Sequence, residues 1–255
     1  MNKTERMRIL GIPVDKVSGD EAMGAFAAMM DERGCSLIVT PNSEIVLNAA
    51  NDPGLKSLIE SAELIIPDGI GLVYASRILN NPLRGRVTGF DFLSDILAYL
   101  QENGKPAFFL GSKPGIAELA AENMKVKYPD LKIAGVHHGY FKAEDEAEIV
   151  DKINSSGAEF LCTAMGSPKQ ERFIYRHKGE LLNVRAAMGV GGSLDVWAGA
   201  LRRAPEFYQK RGLEWLYRLF QEPSRYKRTL KLPVFMVKVI VSKKQSVERR
   251  VQDGV

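Results

Sequence analysis

Residues 64–76 read LIIPDGIGLVYAS. Three aliphatic residues run into a Pro-Asp-Gly turn, and a second apolar segment, long enough for a helix, follows. The first run is apolar at every position rather than at alternate ones, which is how a strand covered on both faces reads. Runs of this kind lie at 35–40, 63–66, 106–110, 132–136, 158–164 and 184–189. Helix-like segments at 19–33, 43–50, 70–80, 90–103, 114–127, 144–155 and 168–178 separate them. Strand and helix alternate, so the sequence predicts an α/β fold: a mostly parallel sheet with helices on both faces. Ser18, Asn42, Ser112 and Ser167 stand where N-caps are expected, and Pro114 and Pro168 suit a first helical turn. Gly104 and Gly157 sit where helices should stop.

The chain has 255 residues, 45% hydrophobic and 26% charged, which suits one large α/β domain, alone or with a small appendage. The two cysteines, Cys35 and Cys162, fall in apolar runs and are expected as buried thiols in a reducing cytoplasm. The N-terminal stretch MNKTERMRIL has no apolar core of signal-peptide type, and no segment reaches the roughly 18 apolar residues of a spanning helix. Charge is uneven. Residues 200–255 hold 14 Lys or Arg against 5 Asp or Glu; the rest holds 21 against 26. A basic tail on a mildly acidic body calls for an anionic partner: a phosphate, a nucleic acid or a membrane surface. Texture changes near 195–200, which divides the chain into a core, 1–196, and a basic helical C-terminal appendage, 197–255. In the appendage, arginines alternate with aromatics, and Trp215, Leu216, Leu219 and Phe220 recur at the spacing of a helix face, which predicts core contact. The last ten residues are expected to fray.

In open parallel sheets ligands bind beyond the carboxyl ends of the strands. Asp68 stands at such an end, either as a turn acid or as a base able to take a proton from an attacking hydroxyl. Thr40 and Asn42 in TPNSE offer a hydroxyl and an amide to a sugar, with Asn42 also a helix cap. Gly191 and Gly192 in GVGGS let backbone approach a phosphate, although the motif is neither GxGxxG nor a Walker loop. In GSPKQE, Gln170 is placed to reach a ligand from a first helical turn, while Lys169 and Glu171 read as solvated. Arg84 and Arg86 are either phosphate-gripping or solvated. His137 and His138 are adjacent, so an extended strand would aim them to opposite faces. HExxH, CxxC and GxSxG are all missing, so no metal site and no Ser-His-Asp or Cys-His chemistry is expected. Two other classes fit the composition: a nucleotide-binding module without catalysis, and a nucleic-acid-binding protein, though no recognised nucleic-acid motif is present.

Taken in order, TPNSE (40–44), PDGIGL (67–72), RVTGFD (86–91), GSKPGIAE (111–118), GSPKQE (166–171), GVGGSLDVWAG (189–199), RAP (203–205) and GLEWLYRLFQEPSRYKR (212–228) resemble the WecG/TagA/CpsF family of bacterial glycosyltransferases, glycosyltransferase family 26. The resemblance spans roughly 8–230. It implies a Rossmann-like core with a C-terminal appendage, and a hexosyl transfer from a UDP-sugar to a polyprenyl-diphosphate-linked acceptor. In the teichoic-acid branch, N-acetylmannosamine passes from UDP to N-acetylglucosaminyl-diphospho-undecaprenol in a β-1,4 linkage. By the same resemblance Asp68 is the general base, and Thr40, Asn42 and Gln170 lie near the reacting sugar. Gly191 and Gly192 form the nucleotide-side turn, and Arg211, Arg218 and Arg225 meet the acceptor's diphosphate. Leu194 and Phe173 depart from the family's usual Phe and Trp, which leaves the branch open. UDP-N-acetylmannosaminuronate, UDP-glucose and UDP-galactose are then the alternative donors. No DxD-like acid pair is present, so a metal-independent reaction is expected, with no cofactor. The remaining expectations are a peripheral position on the inner face of the cytoplasmic membrane, an anionic lipid surface as partner, no nucleic acid, and a homo-oligomeric state left open.

Overall fold

A computed structural model describes residues 4–223 and 226–252. The chain opens with a hairpin, β1 (Arg6–Ile9) and β2 (Ile12–Asp15), whose pairing places Ile9 opposite Ile12. The two-residue turn between them, Leu10 and Gly11, has φ of 50° and 80°. That is the primed geometry that matches strand twist. Ser18 then caps α1 (Gly19–Asp31) in a reciprocal capping box with Glu21. β3 (Ser36–Val39) leads through Asn42 into α2 (Ser43–Ala50). The Asn42 carboxamide oxygen accepts from the Glu44 and Ile45 amides, so the expected cap forms. α3 (Pro53–Glu60), capped by Asp52, precedes β4 (Leu64–Ile65) and α4 (Ile70–Ile78). Thr88 caps α5 (Gly89–Glu102), and then come β5 (Ala107–Gly111), α6 (Ile116–Lys127), β6 (Ile133–His137), α7 (Glu146–Ser156), β7 (Phe160–Ala164), α8 (Lys169–His177) and β8 (Ala186–Gly189). After β8 the chain is helical: α9 (Ser193–Trp197), α10 (Glu206–Lys210), α11 (Glu214–Gln221), α12 (Tyr226–Thr229) and α13 (Lys231–Gln252).

The six strands β3–β8 form one parallel sheet in the order β4-β3-β8-β7-β5-β6. Each strand is short, and five of the six are wholly buried, which is why they read as unbroken apolar runs. Successive residues serve opposite faces. Leu37, Val39, Leu161 and Ala187 pack with α2, α3, α4, α7 and α8 on one side. Ile38, Phe160, Cys162 and Met188 pack with α1, α5, α6 and α9 on the other. The doubly covered parallel sheet is the architecture expected from sequence. Both cysteines are free and buried, and burial pushes the Cys35 thiol up to about 12.

Several local expectations are corrected. Ser112 does not cap a helix: it holds φ 55° in the strand-to-helix turn, and α6 begins four residues later behind Gly115. Ser167 does not cap either, because α8 starts at Lys169 behind Pro168, with no side-chain cap bond. The hairpin and α3 have no counterpart in the sequence reading. The hairpin is tied to the sheet through Asp15, which is fully buried and accepts from the Ile65 amide at 2.7 Å and from Arg6 Nε at 2.8 Å. In the C-terminal helices, Phe235 and Val239 of α13 are fully buried in the core that covers α2 and α4. By contrast α11 buries none of its residues, with Trp215 38% and Phe220 67% exposed. The core contact read from their spacing is therefore wrong. The stripe is real, but it lies on the surface. Among the described residues, no helix is long and apolar enough to cross a membrane.

Candidate active site

All strands of the sheet point their carboxyl ends toward one cleft of about 1250 Å³. That exceeds the roughly 300–1,000 Å³ of a site for one small ligand and leaves room for two substrates. The loop after β3 contributes Thr40 and Asn42. The loop after β4 contributes Asp68, the turn after β7 leads to Gln170, and the turn after β8 holds Gly191 and Gly192. Arg86, from the segment before α5, and Arg218, from α11, complete this part of the wall. Seven of the predicted site residues in the core and one in the tail are thus brought to a single surface by the parallel topology. Arg211 is not on it. Its guanidinium lies 3.9 Å from the centroid of the Phe207 ring, on the outer side of the tail. Arg225 lies outside the described residues.

Asp68 is fixed by its backbone, whose amide donates to Pro41 O at 3.1 Å, and by its carboxylate, which accepts from the Gly89 amide. A methyl built on Gly89 would stand 3.5 Å from Thr40 Oγ1 and 3.6 Å from Asp68 Oδ2, so hydroxyl and carboxylate converge on one point beside the first turn of α5. Burial pushes the Asp68 carboxyl above its ordinary value. The charges of Arg86 and Arg218 and the Gly89 N–H pull the other way, and Asp91 adds to the rise. The result is a carboxylate more basic than a free aspartate, with the two cations offsetting part of the cost of burying its charge.

Arg86 is engaged differently from a free phosphate grip. Its guanidinium forms an ion pair with Glu214 of α11 and donates to Gln209 O at 3.4 Å, while its Nε is buried without a partner among the described residues. Burial is the largest influence lowering the Arg86 pKa. Gly212 makes the same junction from the other side. It has φ 67°, and a Cβ there would come within 2.7 Å of Ile70 Cβ, so only glycine lets this part of the tail rest on the start of α4. Glu214 is a site-lining residue that sequence reasoning missed. Its only signal is that it is an acid at the start of an aromatic helix within the basic tail.

Gln170 is 3% exposed, and its amide is held at both ends. Its Oε1 accepts from the Gly191 amide at 3.1 Å, and its Nε2 donates to Glu171 Oε1 at 2.8 Å. The Gly191 amide is therefore already bonded to the protein. Glu171, read as solvated, is instead 1% exposed. Lys169 is exposed, as read, and from the surface it donates to Gly139 O at 3.0 Å and covers the Phe141 ring at 4.4 Å. The rings of His137 and His138 lie 4.6 Å apart rather than on opposite faces, because the strand ends there and the chain turns. Among the described residues, no three His, Cys, Asp or Glu side chains are placed to hold a metal ion.

A family model described as "Glycosyl transferase WecG/TagA/CpsF family" matches residues 7–249. An N-acetylglucosaminyldiphosphoundecaprenol N-acetyl-beta-D-mannosaminyltransferase of Bacillus spizizenii is 35% identical over 219 residues, covering 86% of this chain and 84% of the relative. The enzymes of the same name from Staphylococcus aureus and Bacillus subtilis are each 33% identical, the first over 96% of both chains and the second over 84% of this chain and 83% of its own. With a family match over residues 7–249 and relatives 33% and 35% identical over most of its length, the chain belongs to the WecG/TagA/CpsF family of glycosyltransferases.

Proposed function

We propose that the protein is an inverting hexosyltransferase that moves N-acetylmannosamine from UDP-N-acetylmannosamine to N-acetylglucosaminyl-diphospho-undecaprenol, making the β-1,4 bond of a wall teichoic acid linkage unit. The names of its relatives support the substrates. One observation carries the chemistry: the Asp68 carboxylate opens on a cleft large enough for both substrates, beside Thr40 and within the field of Arg86 and Arg218. The acceptor's 4-hydroxyl oxygen attacks the anomeric carbon of the donor. Its proton passes to Asp68, the bond from that carbon to the diphosphate oxygen breaks, and the electron pair leaves with UDP. Base catalysis of this kind contributes about 10²–10⁴-fold. Preorganised cations at the departing diphosphate lower the barrier further, and Arg218 stands on the cleft wall to supply one. In this reading the arginines carry the charge and the reaction needs no divalent metal, so activity should survive excess EDTA.

The same reading places the enzyme on the inner face of the cytoplasmic membrane. Exposed Phe220 on α11 and exposed Val234 and Val237 on α13 provide apolar contact on the basic part of the chain. Each basic residue near an anionic surface adds about 1 kcal/mol of attraction. The test of the transfer is product mass with a soluble lipid-diphosphate analogue and a panel of UDP-sugars. UDP-N-acetylmannosamine should add one N-acetylhexosamine with multiple turnovers. Transfer from UDP-glucose or UDP-N-acetylmannosaminuronate in its place would overturn the donor assignment.

A further inference from the structure

The mechanism above leaves unused a carboxyl group buried one residue away from its own cleft wall. Glu171 sits in the first turn of α8, 1% exposed, and among the described residues its Oε2 is buried short of a fully formed hydrogen bond. A buried carboxyl without a cation costs several kcal/mol unless its hydrogen bonds are met. Its Oε1 accepts from Gln170 Nε2 at 2.8 Å, and this donor, with its own backbone amide and the Ser167 hydroxyl, offsets only part of the burial that pushes the carboxyl above its ordinary value.

That contact decides which way the Gln170 amide faces. The Gly191 N–H can only donate, so it requires the amide oxygen, and it has that oxygen at 3.1 Å. The Glu171 Oε1 that faces the amide accepts, so it takes the amide nitrogen. A flipped Gln170 would set N–H against N–H at Gly191 and oxygen against oxygen at Glu171. Packing closes the remaining freedom, since a Cβ on Gly189 would overlap Gln170 Nε2. The amide thus lies flat on the backbone of the strand end with both ends specified.

We propose that Glu171 is a positioning residue for the donor substrate: it locks the Gln170 amide so that the glycine turn after β8 keeps its shape and the second N–H of Gln170 remains a donor for an acceptor oxygen of the nucleotide sugar. Gln170 lines the cleft, and among the described residues its Nε2 has no acceptor besides Glu171. The oxygen received belongs either to the diphosphate or to the sugar's acetamido group. Both share the chemistry of a hydrogen-bond acceptor, and UDP alone separates them from UDP-sugar. The inference rests on the transferase reading of this cleft.

The experiment compares Glu171→Gln with Glu171→Leu and Glu171→Met in the full chain. Glutamine keeps an acceptor oxygen toward Gln170, so E171Q should keep the donor KM within about threefold. The apolar variants lose the acceptor and should raise donor KM about tenfold, the worth of one such hydrogen bond, with the acceptor-substrate KM unchanged. Their Tm should be no lower than wild type, because an apolar side chain replaces a buried carboxyl; a purely structural role would lower Tm instead. Hydrogen exchange at the Gly191 amide in ligand-free protein should be unchanged in E171Q and about tenfold faster in E171L. Weaker binding of UDP alone in E171L assigns the received oxygen to the diphosphate; loss confined to UDP-sugar assigns it to the acetamido group. A wild-type donor KM in both E171L and E171M, or a loss in E171Q as deep as in E171L, would overturn the proposal. Should the wild type itself fail to use the UDP-sugar, the functional reading falls, while the exchange comparison still judges the Glu171 lock.

Discussion

The carboxyl edge of the sheet and the helices after β8 enclose the same cleft by opposite means. At the sheet edge every functional side chain is held by the backbone around it. Asn42 caps α2, Asp68 takes the Gly89 amide, and Gln170 is pinned by Gly191 and Glu171. The tail wall is looser. α11 has no buried residue and touches the core through the Arg86–Glu214 ion pair and the close approach of Gly212 to Ile70. Beyond it α13 is anchored again, through Phe235 and Val239. Reacting groups need placement to within about half an ångström, which rigid elements supply. A surface for a long lipid substrate needs exposed apolar side chains, which a packed core cannot spare.

Substitutions can break or sharpen that contrast. The largest effect is expected at the rigid wall. Asp68→Asn should lower turnover about 10²–10⁴-fold with a soluble acceptor. It should not lower Tm. An acid whose folded pKa is raised has its full stability only below the ordinary aspartate range, and loses it as pH rises through the raised value. The asparagine variant escapes that loss at neutral pH. A D68N protein with wild-type turnover would remove the base from the mechanism. Next in size is the anchor of α13. Phe235→Ala should cost about 3–5 kcal/mol in denaturant unfolding, because the ring is fully buried. A cost below about 1 kcal/mol would mean that α13 is not part of the core. The smallest effect on folding belongs to the exposed wall. Phe220→Ser should change stability by no more than about 0.5 kcal/mol, yet reduce flotation with vesicles containing anionic lipid. Unchanged flotation would reject a lipid role for α11.

Legibility in the sequence follows the same division. The sheet strands were readable because burial on both faces leaves only apolar residues, and the site followed because a parallel sheet sends every strand end to one side. The hairpin β1–β2 was not readable. RMRI and IPVD mix charge with apolar residues, and its turn places Leu10, not Asn or Asp, at positive φ. α3 begins Asp-Pro-Gly, which has the composition of a turn, although Asp52 caps it and Pro53 occupies its first position. Glu171 was misread because charge is the usual sign of solvent exposure, and only the fold shows it buried against the Gln170 amide. In α11 the opposite error arose. Helical periodicity reports that one face is apolar, but it does not say whether protein or another phase covers that face.

The central claim is that Asp68 takes the proton of the acceptor hydroxyl, and the pH dependence of kcat/KM tests it most directly. The account expects an acid limb in the wild type with its midpoint above the ordinary aspartate value of about 3.9, because burial raises this carboxyl, and no such limb in the residual activity of D68N. An acid limb that persists in D68N at the wild-type midpoint would show that another group accepts the proton.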